Sequence, residues 1–144
     1  MELSCKTKYA LLALLELAAY HQKQEPLQIR QIAEKQEISD RYLEQLLATL
    51  RRGGLVKSQR GAKGGYLLAR EPWQITLLDV VECLEGLEGS NLECPLINTA
   101  EKAVVEEIWQ VIDENIKAQL QKHNLQTLSE QRNNKQRTDL MYYI

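Results

Sequence analysis

The sequence predicts a mainly α-helical fold: a winged helix-turn-helix domain with a β-hairpin wing, followed by a long C-terminal helix. Three observations predict it. A short amphipathic segment, a three-residue turn and a longer amphipathic segment follow one another between residues 29 and 52, which is the spacing of a helix-turn-helix. Two short apolar runs joined by a basic, glycine-rich loop come next. Further on, an apolar seam repeats at spacings of three and four residues between residues 105 and 120.

A first helix is expected from Thr7 to Gln22, where alanine and leucine predominate. Its hydrophobic positions cover most of the circumference, which indicates burial between other elements. Lys6, Lys8 and Tyr9 stand at its start, where basic and tyrosine side chains can reach a DNA phosphate. For Tyr9, packing is an equally good interpretation.

The segment from Ile29 to Gln36 predicts a short helix, and residues 37–39 predict the turn to a longer one. Ser39 suits the N-cap, because its hydroxyl can accept from a backbone N–H of the first turn, and Gly53-Gly54 supplies the stop. At about 100° per residue, the helix separates into two faces. One face should be core, with Leu43, Leu46, Leu47 and Leu50, and the opposite face carries Arg41, Gln45, Thr49 and Arg52.

The hairpin is expected from residues 55–59 and 66–70, joined by a loop with three glycines. From Arg41 to Arg70 the chain has seven basic residues and one acid, a local charge of +6 in a chain of net charge −2. A basic patch on an otherwise acidic protein is typical of a surface that pairs with DNA phosphates. A solvated basic face is the usual alternative, but the order of helix, glycine stop and basic hairpin favours DNA.

A further helix is expected from Thr76 to Leu87, and the three-residue spacing of Thr76 and Asp79 predicts a capping box. Cys83 lies beside its apolar face and is interpreted as a small core residue rather than a reactive thiol. Gly86 and Gly89 should end this helix. Residues 90–98 then form a loop that carries Cys94 and Pro95, the second place where chemistry could occur.

Residues 99–123 predict a long helix with an apolar seam along its length. Attached to a small winged domain, such a helix most simply buries its seam against a second copy. We therefore expect a homodimer whose two recognition helices address a pseudo-palindromic site, with packing on the first helix as the alternative. The seam residues are Val105, Ile108, Trp109, Ile112, Ile116 and Leu120.

The C-terminal tail contains a second capping-box pattern at residues 127–130, which can start a short helix. Residues 131–138 have the polar composition of a disordered segment, and residues 141–144 are apolar enough to dock on the body or on a partner chain. Three parts are therefore expected. They are a DNA-binding domain over residues 1–75, a connecting helix with a sensor loop over 76–98, and a dimerisation helix with its tail over 99–144.

Composition excludes several classes of protein. The chain has 144 residues, 44% of them hydrophobic, which suits one domain or a small domain with an extension. No stretch approaches the roughly 18 apolar residues of a membrane span, and no signal peptide is evident, so a cytoplasmic protein is expected. Three cysteines without a disulfide-framework spacing fit a reducing compartment. No nucleophile, P-loop or zinc-protease motif is present, so no enzyme is expected.

Three stretches closely resemble a family of bacterial winged-helix regulators that includes IscR, NsrR and CymR. They are LSCKTKYALLALLELA, ISDRYLEQLLATLRRGGLVKSQRGAKGGYLLAR and ITLLDVVECLEGLEG, and the likeness spans most of residues 1–123. The resemblance implies a dimeric transcription factor with the hairpin as its wing and the long helix as its dimer element. It also implies that Asp40, Arg41, Glu44 and Gln45 read bases, while Arg60 and Lys63 reach the adjacent backbone or minor groove. Chemistry agrees, since arginine pairs with guanine, glutamine with adenine and glutamate with cytosine.

Cofactor-binding members of that family carry three closely spaced cysteines where this chain has SNLECPLIN, which retains only Cys94. Full cysteine ligation of an iron-sulfur cluster from this loop is therefore excluded. Some members add a ligand from the start of the first helix of the other subunit, where Cys5 lies. Cys5 and Cys94 could thus form a site across the dimer that holds a cluster with an oxygen or nitrogen ligand, or that acts as a thiol switch. Alternatively, the chain is a cluster-free regulator controlled by a partner protein or a small molecule.

Overall fold

The computed structural model describes residues 4–86 and 99–142, with the side chains of residues 141 and 142 left out. It confirms a mainly helical chain with one antiparallel hairpin in this part. None of the helices in these ranges is both long enough and apolar enough to cross a membrane. The elements, in chain order, are α1 (Cys5–Ala19), α2 (Ile29–Gln36), α3 (Asp40–Arg52), β1 (Val56–Gln59), β2 (Gly65–Leu68), a 3-10 turn (Pro72–Gln74), α4 (Leu77–Glu85), α5 (Ala100–Lys122) and α6 (Leu125–Tyr142).

Helix α1 is the central element of the core, because α2, α3, α4, α6 and β2 all pack against it. Its buried positions Ala10, Ala13 and Leu14 are completely inaccessible to solvent. The small alanines let neighbouring helices approach closely, and Leu14 fills the space between them. The expected burial of the first helix is therefore confirmed, although the helix runs from Cys5 to Ala19 rather than from Thr7 to Gln22.

Helix α3 has the predicted boundaries and the predicted faces. The Ser39 hydroxyl accepts from the Tyr42 N–H at 3.2 Å, and Gly54 adopts a positive φ of 78° just past the last turn. The N–H groups of Leu55 and Gly54 donate to the carbonyls of Leu50 and Arg51, which is the Schellman pattern of helix termination. The four leucines of the inner face are at most 2% exposed. This helix is thus held at both ends and along one face.

The wing is a two-stranded antiparallel hairpin in which Val56 pairs with Leu68 and Gln59 with Gly65. It is anchored to the segment before α2. The Leu27 N–H donates to the Tyr66 carbonyl at 3.0 Å, and the Tyr66 N–H donates to the Leu27 carbonyl at 2.8 Å. A side chain at position 65 would overlap the Leu27 carbonyl, so this close approach of two backbones requires glycine.

Helix α4 begins with the predicted capping box. The Asp79 N–H donates to the Thr76 hydroxyl at 3.1 Å, and the Thr76 N–H donates to the Asp79 carboxylate at 3.0 Å. The helix ends at Glu85 with Gly86 as its C-cap. The predicted continuation to Leu87, the stop at Gly89 and the loop with Cys94 lie outside the described residues.

Helix α6 replaces the disordered segment expected for residues 131–138. Asn124 starts it, because its side-chain oxygen accepts from the Thr127 N–H at 2.9 Å, so the cap lies three residues before the expected one. The fully buried Leu125 and the partly buried Leu128 pack against the core. Glutamine, arginine and lysine are good helix formers, so the exposed polar part continues the helix from this anchored first turn. The expected docking of residues 141–144 lies outside the described residues and side chains.

The start of α6 is also hydrogen-bonded to the segment that follows the wing. The Leu125 N–H donates to the Ile75 carbonyl at 2.9 Å, and the Leu77 N–H donates to the His123 carbonyl at 2.9 Å. Both bonds are formed where α5 ends and α6 begins. The C-terminal helices are therefore fastened to the base of α4.

Candidate nucleic-acid interface

Four polar residues cover the first half of α3 on the side away from the core. Asp40, Arg41, Glu44 and Gln45 are all exposed. No side-chain hydrogen bond or ion pair joins any of them to another residue between 4 and 86 or between 99 and 142. The helix beneath them is rigidly seated through its leucines, so this face presents free donors and acceptors on a fixed support.

Thr49 and Arg52, in the second half of α3, bond to their own helix. The half-buried Thr49 hydroxyl donates to the Gln45 carbonyl at 3.1 Å and accepts from Arg52 Nη2 at 3.2 Å. The threonine therefore helps to hold the guanidinium of Arg52 on the surface of the helix. Among the predicted contacts, Thr49 is less available than the residues of the first turn.

Cys83 supports the C-terminal end of α3 from beneath. Its thiol donates to the Thr49 carbonyl at 3.4 Å, and a side chain at Gly53 would overlap the sulfur. Burial raises the pKa of the Cys83 thiol, and the opposing attraction of Arg52 is smaller. The group stays protonated at neutral pH and acts as a packing donor, as interpreted from the sequence.

The wing carries the exposed Arg60 and Lys63 in the loop that connects its two strands. Arg51 Nη1 donates to the Ser58 hydroxyl of β1 at 3.1 Å. This bond links the last turn of α3 to the wing and was not anticipated from the sequence, since both residues are exposed and polar. The only feature of the sequence that could have indicated this bond is that the two residues lie on either side of the glycine stop.

Tyr9 is both packed and partly exposed, so its geometry is compatible with packing and with a DNA contact. Its ring meets the Tyr42 ring edge to face, with centroids 5.7 Å apart and an interplanar angle of 86°. Tyr9 is nevertheless 37% exposed. It therefore packs against the first turn of α3 while part of the side chain stays open to solvent.

The start of α1 is joined to the end of α4 through Glu85. The Glu85 carboxylate accepts from the Ser4 hydroxyl and from the buried Thr7 hydroxyl, the latter at 3.0 Å. These hydrogen bonds, from Ser4 and then Thr7, lower the pKa of the Glu85 carboxyl. Lys6 Nζ also donates to the Leu84 carbonyl at 3.2 Å. We name this set of contacts the Glu85 latch.

The Glu85 latch places exposed Cys5 beside the residues that lead into the predicted sensor loop. Between residues 4 and 86 and between 99 and 142, no three His, Cys, Asp or Glu side chains are grouped as metal ligands. Cys94 lies outside these ranges. His21 Nε2 is 3.1 Å from a Glu71 carboxylate oxygen.

A helix-turn-helix with a free polar face on its second helix, followed by a basic wing, defines a winged-helix DNA-binding protein. The sequence profile of the Rrf2 family, described as iron-dependent transcriptional regulators, matches residues 3–131. The chain belongs to the Rrf2 family. It is a DNA-binding transcription regulator and not an enzyme.

Individual relatives agree with this assignment. The chain is 38% identical to the HTH-type transcriptional regulator CymR of Bacillus subtilis over 144 residues, covering 100% of both sequences. The solved structure of CymR, the global cysteine regulator of B. subtilis, matches with a TM-score of 0.74 at 36% identity, covering 90% of this chain and 97% of that one. The structure of IscR from T. potens gives a TM-score of 0.74 at 34% identity, covering 92% and 88%.

Proposed function

We propose that this protein is a homodimeric repressor that binds a pseudo-palindromic DNA operator through α3 and the wing. The observation that carries the proposal is the free polar face of α3, since base reading requires donors and acceptors that the protein itself does not use. Arg41 would fork onto guanine, Gln45 onto adenine, and Glu44 would accept from cytosine, with Asp40 beside them at the helix start. Arg60 and Lys63 would contact the adjacent backbone or minor groove, and Tyr9, Thr49 and Arg52 would border the phosphates.

The exposed seam of α5 supports the proposed dimer. In the single chain Val105 is 61% exposed, Ile108 56%, Trp109 69% and Ile112 41%. Ile116 and Leu120 are half-buried on the same face. So much exposed aliphatic and aromatic surface on one helix is unfavourable in water, and a two-fold partner that presents the same face would cover it. Two copies of α3 would then contact the two half-sites of the operator. We place the protein in the cytoplasm.

The regulatory signal is proposed to be redox state, read by Cys5 and Cys94. The family description mentions iron, but only Cys94 remains of the three loop cysteines that cofactor-binding members carry. These donors do not fit a cluster held by the usual four protein ligands, so we assign no cluster chemistry. Cys5 is exposed, and within one chain the Glu85 latch joins the residues on either side of it, Ser4 and Lys6, to the end of α4.

The proposed switch is the oxidation of these two thiols by a peroxide. The thiols lose two protons and two electrons, a sulfur–sulfur bond forms, and the peroxide is reduced to water or to alcohol and water. Because Cys5 opens α1, which packs directly on α3, a bond at this point would strain the support of the recognition helix.

The test is a gel-shift titration with a palindromic duplex before and after hydrogen peroxide, with dithiothreitol reversal. We expect peroxide to change the affinity of the wild-type protein, and Cys5→Ser and Cys94→Ser to abolish that change, whereas Cys83→Ala should retain it.

Anaerobic protein supplied with iron and sulfide should remain colourless. Visible absorption that disappears in Cys94→Ala would mean that the sensor is an iron-sulfur cluster and not a thiol switch. Colourless protein whose DNA binding ignores peroxide would favour control by a partner protein or small molecule.

A further inference from the structure

A polar cavity of about 360 Å³ lies where three parts of the chain meet. Its walls are the end of α1, the residues that follow the wing, and one face of α6. The volume falls within the range of roughly 300–1,000 Å³ that is usual for small-molecule sites. None of the residues given a role in DNA binding lines it.

Two buried donors on the α6 wall of the cavity have no hydrogen-bond partner. They are the Ser129 hydroxyl and Arg132 Nε. The other two nitrogens of the Arg132 guanidinium have partners, since Nη1 donates to the Leu15 carbonyl at 3.1 Å and Nη2 donates to the Asn133 side-chain oxygen at 3.3 Å. Buried polar groups almost always have partners, so two such donors three residues apart on one helix face are available to an acceptor. A carboxylate is the acceptor that a guanidinium and a hydroxyl bind best.

The same cavity is also lined by two carboxylates, which argues against a simple anion. Glu71 is paired with His21 at 3.1 Å, and Glu130 accepts from the Gln126 side-chain amide at 3.3 Å. Neither carboxylate is joined to a lysine or an arginine in the described part of the chain. A simple anion would meet their repulsion, and a simple cation would meet that of Arg132. A molecule that carries both charges satisfies both groups.

We propose that this cavity binds a free α-amino acid as a zwitterion. The carboxylate contacts Arg132 and Ser129, and the ammonium group faces Glu130 and Glu71. Small reorientations of the two α6 side chains bring their buried donors to the ligand. Because Glu71 follows the wing directly and α6 is tied to α1 through Arg132, a bound amino acid bridges the C-terminal helix to the DNA-binding domain. Only this regulatory consequence rests on the proposed function; binding itself does not.

The test is calorimetric titration of the full-length protein with each of the twenty proteinogenic L-amino acids, without DNA. We expect at least one to bind and to raise the melting temperature. Ser129→Ala and Arg132→Gln should each weaken its Kd by roughly tenfold or more, because a charge-assisted hydrogen bond is lost. Arg137→Gln is the matched control, since Arg137 is exposed on the same helix outside the cavity, and it should leave the Kd unchanged.

Two analogues of the best amino acid decide the ligand class: the carboxylic acid without its amine, and the amine without its carboxylate. Both should bind at least roughly tenfold more weakly. The proposal is overturned when no amino acid binds, when binding survives Ser129→Ala unchanged, or when the carboxylic acid alone binds as tightly. Ser129→Ala is decisive even if Arg132→Gln fails to fold, because removal of an unpartnered hydroxyl does not disturb the core. Gel shifts of the same variants without amino acid test DNA binding separately.

Discussion

At the scale of single residues, the exposed side chains of α3 divide into free and partnered groups. Arg41, Glu44 and Gln45 make no side-chain bond in the described part of the protein, whereas Thr49 and Arg52 bond to each other and to their own helix. A free group can exchange water for a base edge without breaking a protein contact, while a partnered group is better suited to a phosphate. The first half of α3 should therefore determine sequence preference.

Arg41→Ala or Gln45→Ala should relax the preference at one base position, with a loss of roughly 1–3 kcal/mol there. Lys63→Ala should instead weaken binding to all duplexes alike, because a wing lysine pairs with the backbone. The measurement is Kd on a set of duplexes that differ by single base pairs. The same uniform loss in all three variants would mean that α3 does not read bases.

The Glu85 latch predicts a pH dependence of stability. Hydrogen bonds from Ser4 and Thr7 lower the pKa of Glu85 from its ordinary value of 4.5, so the folded state favours the charged carboxylate. This stabilisation is complete above pH 4.5 and is lost as the pH falls through the lower folded-state value.

Glu85→Gln should therefore lower the free energy of unfolding at neutral pH, and its difference from the wild type should shrink below pH 4.5. Urea titrations at several pH values measure this. Glu82→Gln, an exposed change on the same helix, should show neither effect. A difference for Glu85→Gln that stays constant from neutral to acid pH would contradict the latch.

Periodicity predicted the buried leucines, the Ser39 cap and the Thr76 capping box, because each depends on residues within one turn of helix. It could not predict the Glu85 latch or the Arg51–Ser58 bond, since both join exposed polar residues of different elements. Nor could it predict the cavity, whose charged groups come from three distant segments. Contacts of this kind depend on how helices pack, which hydrophobic spacing alone does not fix.

At the scale of elements, the wing is positioned by backbone contacts rather than by side chains. Leu27 and Tyr66 exchange two hydrogen bonds, and Gly65 allows the two backbones to approach. Arg51 adds a link from α3. The hairpin is therefore held at its base, while its basic loop is exposed.

Gly65→Ala should destabilise the protein by about 1–3 kcal/mol, because the new methyl group overlaps the Leu27 carbonyl and pushes the wing from its base. It should also weaken DNA binding, measured under conditions where the variant remains folded. Gly61→Ala is the matched control: it too has a positive φ, but its methyl group would meet open space. Equal destabilisation by the two changes would show that steric overlap at the wing base is unimportant.

The tail shows where composition misled the sequence analysis. Residues 131–138 are polar, as in disordered segments, yet they belong to α6. The first turn of that helix is fixed by the Asn124 cap and by buried Leu125, and helix propagation from a fixed turn costs little. Composition describes the average polarity of a segment, so it does not show that one buried residue and one cap hold the start of a helix.

At the scale of the whole molecule, the basic residues and the exposed apolar residues belong to different parts of the chain. The basic residues from Arg41 to Arg70 form one region of an acidic protein, and the exposed apolar seam of α5 forms another. One region suits phosphate and the other suits a second copy of the chain. A dimer would double the basic surface and place it on two half-sites.

Trp109→Glu should convert the dimer to a monomer, since a charge would be buried in an apolar interface. The monomer should remain folded, because Trp109 is 69% exposed in the single chain. Sedimentation velocity and circular dichroism measure the two properties. Gln110→Glu adds the same charge outside the seam and should remain dimeric. A dimeric Trp109→Glu protein would move the interface elsewhere.

Most directly, the central claim is tested by the salt dependence of DNA binding. If α3 and the wing neutralise phosphates, log Kd should rise steeply and linearly with log salt concentration, and Lys63→Ala should reduce the slope by roughly one. A slope near zero, or a steep slope that Lys63→Ala and Arg60→Ala leave unchanged, would contradict the assignment of this surface to DNA.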